Sequence, residues 1–141
     1  MMNENSGSGL ALSDLPVGTD LGSIEYEIDG ESVRRHRLAT HQSSYPTQDG
    51  VELAPVSLLA VDGLRLAAAH YDVTGFIHTG QRIEVIEPPI VGSRVTVEGT
   101  LADVSEKGDR MYLTIETVSR DDRSRVLARG RTAVTRYDAG S

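Results

Sequence analysis

The sequence predicts an α+β domain in which one long, mostly enclosed helix packs on a curved antiparallel sheet of about five strands. Three observations predict it. Ile24, Tyr26 and Ile28 alternate with Glu25 and Glu27, the period-two pattern of a half-buried strand. Residues 55–71 place only Asp62 and Arg65, with Leu58, on a narrow polar side, while Leu59, Leu64, Leu66 and the alanines at 60, 67 and 68 fill the rest. The half of the chain that follows is strand-rich.

The elements follow in order. Residues 1–13 are polar and Gly/Ser-rich and read as a disordered tail, leaving one domain over 14–138. The first strand covers residues 21–28, and Asp29 then caps a short helix from Gly30 to about Thr40, with Glu31 in its first turn. Residues 41–50 read as a loop, broken by Pro46 and by Asp49-Gly50. Pro55 suits the first turn of the long helix. Gly63 within that helix costs about 1 kcal/mol against Ala, which points either to another backbone packed close beside it or to a glycine that is simply tolerated. Four strands follow, over residues 76–86, 94–104, 110–118 and 125–137, with short turns at 107–109 and 121–123. Gly99 and Gly130 fall inside strands, where they allow curvature or a bulge.

Composition narrows the function. The chain has 141 residues, 14 basic and 21 acidic, for a net charge of −7, and no cysteine. Disulfides, thiolate metal sites and cysteine nucleophiles are therefore excluded. The acidic balance and 4% aromatic content disfavour a nucleic-acid surface. No apolar stretch approaches the roughly 20 residues of a membrane helix, and the N-terminus lacks a signal-peptide pattern. A cytoplasmic domain for a small molecule or a protein partner remains.

Three stretches resemble a known family. Residues 77–104 (IHTGQRIEVIEPPIVGSRVTVEGTLADV), 110–134 (RMYLTIETVSRDDRSRVLARGRTAV) and 53–64 (LAPVSLLAVDGL) are similar to the MaoC-like dehydratase/hydratase branch of the hot-dog fold. The likeness covers roughly residues 15–137. It implies acyl or enoyl thioesters of coenzyme A or an acyl carrier protein as substrate. It also implies addition or elimination at the α,β-bond, no cofactor beyond the carrier within the substrate, and a homodimer or heterodimer with a continuous sheet. Thioester hydrolysis or addition of another nucleophile is the alternative on the same fold. A non-catalytic subunit completing an active partner is the third reading.

The sequence departs from the family at the acid/base loop, which reads like Ala-Thr-Gly-Asp-x-Asn-Pro-x-His in hydratases. Matched from Ala39, the Asp position holds Gln42; matched from Pro46, it holds Ser43 and the His position holds Gln48. Neither Gln nor Ser exchanges a proton near neutral pH. His41, with Gln42 or Tyr45 orienting substrate, is then the catalytic candidate; the other reading is an exposed histidine favoured by a helix C-terminus. Ser44 completes the polar cluster. Ala54, Val56 and Ser57 at the start of the long helix are candidate oxyanion donors, against simple capping by water. His78, Thr79 and Gly80 are candidate substrate-lining residues, with His78 placed on the face of Arg82 and Glu84 rather than used for catalysis. His70 reads as a core or interface histidine. Arg34-Arg35-His36-Arg37 is either a phosphate-binding run or a solvated helix face. No metal-ligand spacing is present.

Overall fold

The computed structural model describes residues 10–39, 47–48, 51–52, 54 and 59–137. Strand β1 is Asp20–Glu27, helix α1 Gly30–Ala39, strands β2 and β3 Thr47–Gln48 and Val51–Glu52, and helix α2 Asp62–His70. Strands β4 Phe76–Val85, β5 Arg94–Lys107, β6 Arg110–Arg120 and β7 Val126–Tyr137 complete the chain. Five strands form one antiparallel sheet in the order β1-β5-β6-β7-β4, with β1 and β4 at its edges. The expected α+β class and strand number are those observed.

The alternation in the strands decides which face is buried. Val95, Val97 and Leu101 of β5, and Met111, Leu113 and Ile115 of β6, point inward with Leu127, Ala128 and Val134 of β7. Leu66 and Ala67 of α2 close onto them. Each fully buried aliphatic side chain contributes about 1.5–3 kcal/mol, so this layer is the main source of stability. Gly108, at φ 64°, turns the chain so tightly that Lys107 and Arg110 still pair, which carries β5 beyond its expected end at residue 104. At the other hairpin, Asp121 Oδ1 accepts the N–H groups of Arg123 and Arg125, both at 2.9 Å.

Several expectations change. The tail does not extend to residue 13, because Leu12 is buried in the core and its N–H donates to the Asp72 carbonyl at 3.0 Å. Within the segment expected as a loop, Thr47 pairs with Glu52 and Gln48 with Val51 in a short ladder. The regular helix begins at Asp62 rather than Pro55. Val61, at φ −101° and ψ 12°, lies outside helical geometry, and residues 55–58 lie outside the described residues. The close neighbour of Gly63 is a side chain, not a backbone: a Cβ there would sit 2.3 Å from Thr132 Oγ1. Among the described residues no helix is long and apolar enough to cross a membrane.

Candidate functional site

The first residue of α2 carries the most unusual environment in the fold. Asp62 is 1% exposed, although the periodicity had put it on the polar side of its helix. Its Oδ1 accepts from the Tyr26 hydroxyl at 2.8 Å and from Arg65 Nη1 at 3.0 Å, and its Oδ2 accepts from Ser119 Oγ at 2.7 Å. Alternation along β1 and β6 turns Tyr26 and Ser119 toward the helix. Arg65 lies one turn after Asp62, and its guanidinium covers the Tyr26 ring at 4.6 Å from the centroid. The cluster ties α2 to β1 and β6.

Burial raises the Asp62 carboxyl above its usual range, opposed by hydrogen bonds from Ser119 and Tyr26 and by the Arg65 charge. Burial, followed by the Asp62 carboxylate, also raises the Tyr26 phenol. With both oxygens engaged by protein donors, Asp62 acts as a strut more readily than as a proton carrier. A carboxyl raised on folding contributes stability that is full below its unfolded pKa and is lost as pH climbs through the folded value. The stability difference between the wild type and Asp62→Asn is therefore expected to shrink as pH rises from 3.8 upward. Urea midpoints measured for both proteins from about pH 4 to 8 test this; a flat or growing difference would contradict it.

A second polar group lies on the inner face nearer the β4 edge. Thr132 Oγ1 donates to Gln81 Oε1 at 2.9 Å, and Thr117 and Gly130 are directly paired on β6 and β7. The sequence reading did not single out these residues. Threonines at inward positions of otherwise apolar alternation were the available signal, together with an aspartate before a glycine in an enclosed helix.

The candidates from the sequence fare differently. His41, Gln42, Ser44, Tyr45, Val56 and Ser57 lie outside the described residues. The N–H of Ala54 donates to the Pro89 carbonyl at 2.8 Å, so it is not a free oxyanion donor. His78, Thr79 and Gly80 share β4, but a bulge between His78 and Gly80 puts these two opposite consecutive β7 residues, Val134 and Ala133. His78 thus leaves the face of Arg82 and Glu84 on which alternation had placed it. Its Nε2 lies 2.9 Å from the Gly80 carbonyl oxygen, and the Thr79 hydroxyl lies 3.0 Å from Thr135 Oγ1. His70 is half-buried, with Nε2 2.8 Å from the Ser23 carbonyl oxygen. Arg34 is exposed and paired with Glu31 at 3.0 Å. Among the described residues no three His, Asp or Glu side chains converge as a metal-ligand set.

A family model described as the FAS1-like, dehydratase domain region matches residues 16–129. No curated protein sequence matches. Among solved structures, a MaoC-like dehydratase from Rhodospirillum rubrum superposes with a TM-score of 0.74 at 20% identity, over 92% of this chain and 97% of that one. The unliganded R-hydratase from Pseudomonas aeruginosa gives 0.76 at 15% identity, over 92% and 86%. A truncated (3R)-hydroxyacyl-ACP dehydratase complex from Mycobacterium tuberculosis gives 0.64 at 16% identity, over 84% and 99%. The shared fold is the hot-dog fold.

Proposed function

The chain belongs to the FAS1-like dehydratase domain region family, and on that premise we propose that it acts in the cytoplasm on acyl or enoyl thioesters of coenzyme A or an acyl carrier protein. The reaction class is addition or elimination at the α,β-bond, and the only cofactor chemistry is the carrier within the substrate. The observation that carries this reading is the family match over residues 16–129. Hydration of crotonyl-CoA by the isolated protein tests it. Because Gln42, Ser43 and Gln48 stand where the acid/base pair is expected, turnover is expected well below the ordinary scale of about 10 per second. His41→Ala is expected to remove about a further 10²-fold. Turnover unaffected by this substitution would move the acid/base role elsewhere.

The same departure favours a second reading, a non-catalytic subunit that completes an active partner. The Mycobacterium tuberculosis neighbours include two that are complexes by name, one of them between two different chains, ChsH1 and ChsH2. Edge strand β4 and the residue after it expose Ile77, Val85 and Ile86. An open edge with apolar side chains is a surface for strand pairing. Light scattering is expected to show a dimer at micromolar concentration. If the isolated protein is inactive, co-expression with a MaoC-like chain carrying an intact Asp/His pair separates the readings. Activity exceeding that of the partner alone supports the silent subunit, and no gain removes it.

A further inference from the structure

The sheet face turned away from α2 carries a cavity of about 830 Å³, within the size range of small-molecule sites. Alternation supplies its walls, because the exposed side chains of β5, β6 and β7 are those between the buried ones. Gly99 and Gly130 lie in the cavity floor with their Cβ directions turned inward, toward Leu66 and Thr117, so main chain forms the floor there.

Strand pairing sorts the charges along this cavity. Asp20, Thr100, Glu116, Arg131 and Arg82 stand in one row from β1 to β4, and beside its basic end Arg129 is paired with Glu84. Arg82 and Arg131 are directly opposite each other, an arrangement that costs stability for like charges. Arg131 is bound to Glu116, and Glu98, nearer β1, is 3.6 Å from Arg120. The guanidiniums of Arg82 and Arg129 have neither an ion pair nor a hydrogen bond among the described residues, and Glu84 forms no ion pair with either. Three cations thus share the β4–β7 end of the cavity, two of them unmatched, while carboxylates hold the other end.

We propose that the cavity binds a phosphorylated sugar, free or within a nucleotide, with its phosphate on Arg82, Arg129 and Arg131. A guanidinium presents a fork of N–H donors that fits phosphate oxygens, and the two negative charges of a phosphate ester offset the Arg82–Arg131 repulsion. Strands β7 and β5 are two spacings apart, about 10 Å, a span that a sugar phosphate bridges and an inorganic ion does not. At the far end, Glu98 and Thr100 offer oxygens to neutral hydroxyl donors. A ligand acidic at both ends would set its second charge against Glu98 and Asp20. The cavity lies on the face away from α2, so the assignment does not rest on the thioester reading.

Calorimetric titration of the full chain with ribose 5-phosphate, ADP, ribose and inorganic phosphate tests the site at fixed ionic strength. Ribose 5-phosphate is expected to bind more tightly than inorganic phosphate, and ribose not to bind. Arg82→Gln and Arg129→Gln are each expected to weaken ribose 5-phosphate binding by about tenfold, the scale of one charge-assisted hydrogen bond. Glu84→Gln is expected to strengthen it severalfold by removing a neighbouring negative charge. The thermal midpoint of Arg82→Gln should not fall, since the substitution relieves a like-charge pair, so its weaker binding cannot come from unfolding. Tighter binding of ADP than of ribose 5-phosphate assigns the site to a nucleotide, and equal or weaker binding assigns it to a free sugar phosphate; the site stands in both cases. No binding of either phosphate ester overturns the proposal, as does binding that survives both arginine substitutions. Inorganic phosphate held as tightly as ribose 5-phosphate reduces the site to an adventitious anion contact and overturns it too. A molecular mass changed by the arginine substitutions would assign this face to a contact between copies of the chain instead.

Discussion

Asp62→Ala is expected to lower the stability of the fold by about 3 kcal/mol and its thermal midpoint by roughly 10 °C. The substitution removes little volume from the apolar core. Its effect comes from the donors left behind. The Ser119 hydroxyl is buried, the Tyr26 hydroxyl is half-buried, and both give their protons to this carboxyl group. An unsatisfied buried donor costs about 1–3 kcal/mol. Arg65 is partly exposed and recovers some hydration, so its share is the smallest. Ser119→Ala alone removes one donor with one acceptor site and is expected to cost about 1 kcal/mol. Urea denaturation followed by circular dichroism measures both changes. A loss below about 1 kcal/mol for Asp62→Ala would mean that water enters and satisfies the donors, and the cluster would not be a strut.

The same residue shows where sequence reading stops. Helical periodicity identifies residues that share a side, and it placed Asp62 and Arg65 together correctly. It does not say whether that side meets water. Here the partners that make burial tolerable lie 36 and 57 residues away, at Tyr26 and Ser119. Only the assembled sheet brings β1 and β6 under the same helix end. Tyr26 was legible as an inward residue of its strand, but not that its hydroxyl would meet a carboxyl group.

The central strands β5 and β6 were legible because one face of each is buried and the other is not. Val95, Val97 and Leu101 follow a strict alternation, and Met111, Leu113 and Ile115 continue it on the next strand. Irregularities were not legible. The bulge between His78 and Gly80 reverses the face of His78, and no period-two pattern announces a single extra residue. The loss of Ala54 as a donor has a similar origin. Its partner is the carbonyl of Pro89, in the connection between β4 and β5, which sequence spacing had no means to place beside residue 54. The catalytic candidates at 41–45 remain a matter of residue type and of the resemblance.

Gly99 shows that a glycine's presence can be read more easily than its purpose. Its position within β5 suggested curvature or a bulge; the structure adds a contact with α2. A Cβ at 99 would lie 2.5 Å from Leu66 Cδ2, 3.1 Å from the Glu116 carbonyl oxygen and 3.2 Å from Thr117 Cγ2. Leu66 is completely buried, so a retreat would press it into its core neighbours rather than into solvent. Gly99→Ala is therefore expected to cost about 2 kcal/mol through overpacking, and Leu66→Ala about 3 kcal/mol through the cavity it leaves. If the helix rests on this glycine, the two losses are not additive. Removing the Leu66 methyl groups vacates the place that the new Cβ needs, so the double variant should recover about 1 kcal/mol of the summed cost. Recovery stays incomplete because the Glu116 carbonyl and Thr117 methyl still crowd the site. A double-mutant cycle from urea denaturation measures the coupling directly. Strict additivity would show that residue 99 is felt mainly by its neighbours in the sheet, and that α2 is not seated on it.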